Sequence, residues 1–235
     1  MSLKIKGWRK IIKWSIWSVV GILFLIFLIK VATFESSYYD EKDGSERAVA
    51  EEVAEGEEEG EEEELIEEEP TEDEVREYVV AADRPRYLTV SKLGIINARI
   101  LPMGVNQRGE LDTPRNIFDV GWYEGSSAPG QGGTLIIDGH NGGPTKHGVF
   151  KDLPNLANGD ILEVERGDGV VYQYEVVENN TVLLSESNDY MATASESPVP
   201  GKESLTLITC TGEWSQSRKT YLSRQFVRAV IKEEY

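Results

Sequence analysis

Cysteine occurs once in the 235 residues, histidine twice and methionine three times. A single cysteine cannot close a disulfide within the chain, which excludes a disulfide-stapled scaffold. Basic residues are scarce as well, 24 Lys and Arg against 42 Asp and Glu, for a formal net charge of −18. The only basic cluster is a short N-terminal arm, so a nucleic-acid binder, which needs a basic face, is excluded. Sustained helical periodicity is missing after residue 85, apart from short turns expected near 147–156 and 187–194. No internal repeat of solenoid or propeller length is present.

The charge is not spread evenly. Residues 1–34 carry +6, residues 35–77 carry −19, and residues 78–235 carry −5. A uniformly acidic globule is therefore excluded too. Residues 14–29 run WSIWSVVGILFLIFLI without a charge, and Val31 to Phe34 extend the apolar stretch past Lys30. A spanning helix needs about 20 mostly apolar residues, and a lysine near its end can snorkel to the headgroups. Trp8, Trp14 and Trp17 lie where indoles favour the interface, behind a basic arm of Lys4, Lys6, Arg9, Lys10 and Lys13. The expectation is a cytoplasmic N-terminus (1–13), a single-pass anchor in the cell membrane (14–34) and an extracellular remainder. The apolar stretch exceeds the roughly 7–15 residues of a signal-peptide core, and no small-residue cleavage site follows it. A retained anchor is thus favoured over a cleaved signal. Residues 35–84, with EEVAEGEEEGEEEELIEEEPTEDE, hold too little apolar surface to offset ordering entropy. They read as a disordered acidic linker with a reach on the order of 40 Å or more.

From residue 85 the texture changes. Short β-rich runs alternate with Gly, Pro, Asn and Asp: 87–93, 95–101, 133–140, 160–167, 170–184, 204–211 and 221–231. Seven or eight strands in some 150 residues indicate an all-β barrel or sandwich, and Gly167-Asp168-Gly169 marks a hairpin.

Three residues in this block carry chemistry. Cys210 ends the apolar run 205–209 and so sits at the end of a buried strand. A lone cysteine is commonly a small buried hydrophobe. Outside the cell, however, an unpaired thiol is open to oxidation and mispairing, and it asks for a functional reason. His140 also ends an apolar strand, in TLIIDGHNGG. A cysteine nucleophile requires a histidine as acid and base, and the only other one, His147, lies in a polar loop. Arg224 opens the last strand, where alternation puts Arg224, Phe226 and Arg228 on one face and Gln225, Val227 and Ala229 on the other. A guanidinium there could hold a substrate or support an oxyanion, and Arg218 in the preceding loop is the competing candidate.

GTLIIDGHN, HGVFKDLPNLANGDILEV, LTLITCTG and YLSRQFVRA together resemble the sortases, membrane-anchored cysteine transpeptidases. The resemblance spans about residues 85–231. Its most specific part is the T-L-x-T-C strand end at Thr206–Cys210, supported by Gly139-His140 and by Arg224–Ala229. GWY at 121–123 with APGQGG at 128–133 looks like the class D, E and F branches rather than A or B. The resemblance implies an eight-stranded sortase-type barrel over 85–235. It also implies attack by Cys210 on the Thr–Gly bond of an LPxTG-like sorting signal, a thioacyl intermediate, and transfer to an amine of a cell-wall precursor or pilin. His140 would move the protons and Arg224 would position the substrate. Thr209 and the backbone N–H of Thr211 would be substrate or oxyanion contacts. No cofactor and no metal site are expected, with one thiol and no ligand spacing in the acidic run. Two other readings share these residues: a hydrolase that passes the acyl group to water, and a non-catalytic ectodomain with a structural cysteine.

Overall fold

The computed structural model describes residues 64–106 and 109–232. The membrane anchor expected at 14–34 and most of the acidic linker lie outside the described residues. Eight strands form the architecture: β1 (Pro85–Val90), β2 (Ile95–Met103), β3 (Val120–Tyr123), β4 (Thr134–Gly139), β5 (Ile161–Arg166), β6 (Val171–Leu183), β7 (Ser204–Ser215) and β8 (Thr220–Ile231). They close in the order β1-β2-β3-β4-β7-β8-β6-β5. The β2–β3 and β4–β7 pairs are parallel and the other pairs antiparallel. The expected eight-stranded all-β barrel is therefore what forms. The 167–169 turn joins β5 to β6 as a hairpin, with Gly169 at φ +84°. The expected short turns appear as a 3₁₀ turn at Leu153–Asn155 and a helix at Leu184–Ala194. The strand β3 was not among the runs expected from sequence, because four residues are too few to show a period.

Alternation sorts each strand onto two faces. Leu88, Val90, Leu135, Ile137, Leu162, Val164, Tyr174, Val176, Leu205, Leu207, Val227 and Ala229 fill the barrel interior. On the outer face of β4, β7 and β8 a second cluster gathers Ile136, Ile208 and Phe226. Among the described residues two helices flank the barrel, α1 (Glu72–Glu77) and α2 (Leu184–Ala194). The helix α2 covers the outer cluster: Ala194 is buried in it, Tyr190 packs on Phe226 with centroids 4.8 Å apart, and Thr206 Oγ1 donates to the Ala194 carbonyl. Arg228 fastens its end, donating to the carbonyls of Thr193 and Glu196 and pairing with Glu178 at 2.7 Å.

Residues 64–84 correct the expected linker boundary, since they are ordered against the barrel. Ile66 bridges to Asn116, with Ile66 N donating to the Arg115 carbonyl and Ile117 N to the Ile66 carbonyl. The carboxylate of Glu67 accepts from the backbone N–H groups of Thr145 and Lys146 and from the Thr145 hydroxyl. The helix α1 follows, opened by a capping box in which the Thr71 hydroxyl accepts from Glu74 N while Thr71 N donates to the Glu74 carboxylate. Tyr78 donates to the Ile100 carbonyl, and Tyr87 to that of Val75. Composition argued for disorder because it counts like charges. It does not count the N–H groups that wait for a carboxylate on the folded partner.

The segment between β2 and β3 is anchored by a bidentate pair. Arg99 reaches both oxygens of Asp119, at 2.9 and 2.7 Å, and Asp119 is buried. Removing one partner strands the other charge. Asp119→Ala is therefore expected to lose about 3 kcal/mol, the low end for such a pair because Arg99 keeps some solvent contact. Urea unfolding checks this: the double variant Arg99→Met/Asp119→Leu should recover most of the loss, and an unshifted Asp119→Ala midpoint would contradict it.

Candidate active site

The site is built by strand register. The parallel pairing of β4 with β7 sets Asp138 beside Ile208, and the antiparallel pairing of β7 with β8 sets Ile208 beside Phe226 and Cys210 beside Arg224. Two residues past Asp138 on the same face comes His140, level with Cys210. Two hydrogen bonds carry that alignment beyond the end of β4. Thr209 Oγ1 donates to the Gly139 carbonyl at 2.7 Å, and Asn141 Nδ2 donates to the Cys210 carbonyl at 2.8 Å. His140, Cys210 and Arg224 thus form one outward row across three neighbouring strands, just past the edge that α2 covers.

Each member of the row is fixed by its surroundings. The His140 carbonyl accepts from Phe150 N at 2.9 Å, and a Cβ on Gly139 would stand 2.7 Å from the Phe150 ring, so glycine before the histidine lets that ring pack. His140 Nε2 lies 2.8 Å from the Pro114 carbonyl. A carbonyl can only accept, so Nε2 carries hydrogen, and in the neutral ring Nδ1 is left as the base. Burial pushes the His140 pKa down, opposed by the bond to Pro114. The Cys210 thiol is pushed up by burial; Arg224 acts against this and the nearby Asp138 adds to it. Both shifts favour a resting thiol and neutral imidazole over a thiolate–imidazolium pair. Arg224 donates to the carbonyls of Tyr221 and Ser223 and to Thr220 Oγ1.

The remaining candidates fall elsewhere. Arg218 is exposed at the tip between β7 and β8, with its backbone N donating to Ser215 Oγ, so the row takes Arg224 rather than Arg218. Thr209 is buried, and alternation turns it away from Cys210; its hydroxyl is spent on Gly139. Its expected role in substrate contact is corrected to one of joining β4 and β7. Thr211 is half-buried opposite Ser223, adjacent to the cysteine. His147 is exposed and meets Lys151 through Nε2. Sequence reasoning missed Asn141 and Asp138, although both stand in the same DGHN run as the histidine. Beyond Cys210, Trp214 and Tyr221 form an edge-on pair, 5.2 Å between centroids, at the open end of the row. Among the described residues no group of three or more His, Cys, Asp or Glu is placed to hold a metal.

Alkylation by iodoacetamide reads this electrostatic balance directly, because only the thiolate reacts. The rate is expected to rise with pH about a midpoint above that of an unperturbed cysteine. Arg224→Ala should move the midpoint higher still and slow alkylation at pH 8 about threefold. A wild-type midpoint at or below the ordinary thiol value would contradict the assignment of a neutral resting pair.

The sequence matches the Sortase domain over residues 88–232. No curated protein sequence matches the chain. Among solved structures it is similar to the pilus-related sortase C of Group B Streptococcus, with 24% identity, TM-score 0.46 and coverage of 74% of this chain and 77% of that one. It is similar to sortase C-1 from Actinomyces oris, with 23% identity, TM-score 0.47 and coverage of 66% and 76%. A third is the Clostridium perfringens sortase D5 transpeptidase, with 21% identity, TM-score 0.45 and coverage of 70% and 90%. These neighbours bear class C and class D names, and identities this low assign no branch. The domain match alone takes in more than half of the sequence, and by it the chain belongs to the sortase family of cysteine transpeptidases.

Proposed function

We propose that the protein cleaves an LPxTG-like sorting signal between Thr and Gly and transfers the acyl part to an amine. The observation that carries this reading is the row His140–Cys210–Arg224, fixed by the β4–β7–β8 register. In the proposed cycle the Cys210 thiol gives its proton to His140 Nδ1, and the thiolate attacks the Thr carbonyl carbon. The C–N bond breaks, the leaving amine takes the proton from His140, and a thioacyl enzyme remains. An incoming amine then loses a proton to His140 and attacks the thioester carbon, and the released sulfur regains the proton. Arg224 lies opposite the nucleophile, where its charge supports both the thiolate and the oxyanion. The Thr211 N–H, next in the strand, is assigned as an oxyanion contact.

The acceptor is an amine of a cell-wall precursor or a pilin lysine, and the donors are proteins bearing the sorting signal. The chain is proposed to sit in the cell membrane through residues 14–34, with residues 1–13 in the cytoplasm and the barrel outside. Tethering enzyme and substrate to one membrane raises their effective concentration.

The decisive measurement is mass spectrometry of an LPxTG peptide incubated with the enzyme, with and without an amine. The expected product carries the amine in place of the C-terminal fragment, and Cys210→Ala should reduce turnover at least a thousandfold while leaving the circular dichroism unchanged. Hydrolysed peptide alone in every condition would replace the transferase reading with a hydrolase; full turnover by Cys210→Ala would remove the nucleophile. For the anchor, deleting residues 1–34 should move the protein from the membrane pellet to the supernatant, and persistence in the pellet would contradict the assigned span.

A further inference from the structure

Asp138 belongs to no step of the reaction above, yet it stands on the same face as the site row, one position below it on β4. Its neighbours across the sheet are Gly121 on β3 and Ile208 on β7. Thr113 Oγ1 donates to its Oδ2 at 2.7 Å. Its Oδ1 lies against the Gly121 backbone, where a Cβ would come within 2.5 Å. Glycine at 121 therefore makes room for this carboxyl. The residue after Thr113 is Pro114, whose carbonyl holds His140. One short segment thus grips both the carboxyl and the imidazole.

Asp112, in the segment before β3, acts on the Asp138 carboxyl; Arg224 on β8 and Asp138 itself act on the Cys210 thiol; His140 follows on the same face past the end of β4, and Tyr123 on β3 packs against the outer apolar cluster. Glu213, further along β7, is exposed. Burial pushes the Asp138 pKa up to about 7, with Asp112 adding to the shift and Thr113 opposing it. Its charge in turn acts on Cys210, against that of Arg224. The thiol therefore lies between a cation on one strand and a titrating acid on another.

We propose that Asp138 is a positioning residue for the nucleophile, its carboxyl deciding by its own protonation how readily Cys210 yields the thiol proton. The proposal rests on the reading of Cys210 as the nucleophile. With Asp138 protonated, only burial opposes the thiolate. With Asp138 ionised, a second negative charge would form beside the first, and the thiol holds its proton to higher pH. A rise in pH through neutrality thus favours thiolate directly and opposes it through Asp138, which flattens the dependence of reactivity on pH.

The test uses the full chain and its single cysteine, so any alkylation belongs to Cys210. Iodoacetamide alkylation rates are measured from pH 5.5 to 9.5. Asp138→Asn keeps the shape and an acceptor for Thr113 but never ionises. It is expected to lower the midpoint and to raise the rate at pH 7.5 about fivefold. Thr113→Val removes the hydroxyl that favours the charged carboxyl, so the acid stays neutral to higher pH and the midpoint moves the same way by less. Arg224→Ala moves it the opposite way. An Asp138→Asn profile that superimposes on wild type, or shifts upward, overturns the proposal; should that variant fail to fold by circular dichroism, an unshifted Thr113→Val profile overturns it instead. The measurement needs no peptide substrate, so its failure is distinct from failure of the sorting-signal assay with Cys210→Ala, which would remove the nucleophile itself.

Discussion

The site depends on the register between β4 and β7. Side chains alternate along a strand, so a slip of one residue in either strand would turn His140 and Cys210 to opposite faces. The structure spends a buried hydroxyl on preventing this. The buried Thr209 side chain faces away from the row, and its bond to the Gly139 carbonyl ties the residue before Cys210 to the residue before His140. Asn141 repeats the tie one step further on, at the Cys210 carbonyl. The antiparallel partner β8 then needs only its ordinary pairing to deliver Arg224. Parallel strands far apart in sequence, 134–139 and 204–215, are thereby made to present one reacting face.

Packing determines where along that face the chemistry lies. The helix α2 closes over Ile136, Ile208 and Phe226 and stops short of the next row, so the last buried apolar layer forms the floor beneath the first polar one. This half-buried position has an electrostatic price. It disfavours both the thiolate of Cys210 and the imidazolium of His140, and a guanidinium on the neighbouring strand offsets part of the penalty at sulfur. A neutral resting pair also leaves little thiolate to be oxidised before a substrate arrives.

How much of this the sequence revealed varies by element. The long strands announce themselves by alternation, but only His140 stands at a strand end; Cys210 and Arg224, expected at strand ends, lie inside β7 and β8, whose pairing runs on past the site. Their meeting is not visible in the sequence, because it depends on which strands become neighbours: Cys210 and Arg224 are near in sequence, whereas His140 joins them through a parallel pairing that no local signal encodes. The short strand β3 lies below the length at which a period can be read; it is marked only by Gly121, whose missing side chain makes room for Asp138. Thr209 is next to Cys210 in sequence and for that reason lies on the opposite face of the strand. Residues 64–84 were misjudged because charge density measures cost and not the partners that meet it, although the Thr71–Glu74 capping box was there to be read.

That ordered stretch bears on the site in a way its composition conceals. Ile66 bonds to the backbone on either side of Asn116, in the segment whose Pro114 carbonyl holds the His140 ring, and Glu67 gathers the N–H groups of Thr145 and Lys146 in the loop that follows the same histidine. Both neighbours of the imidazole are thus fastened by one strip of chain. The strip is attached by hydrogen bonds more than by burial, since Ile66 remains 45% exposed. Contacts of that kind open at lower free energy than a sealed core. The scaffold around His140 therefore combines two stabilities: a barrel whose interior fixes the row, and a polar strip outside it whose hold on the flanking loops is the looser of the two.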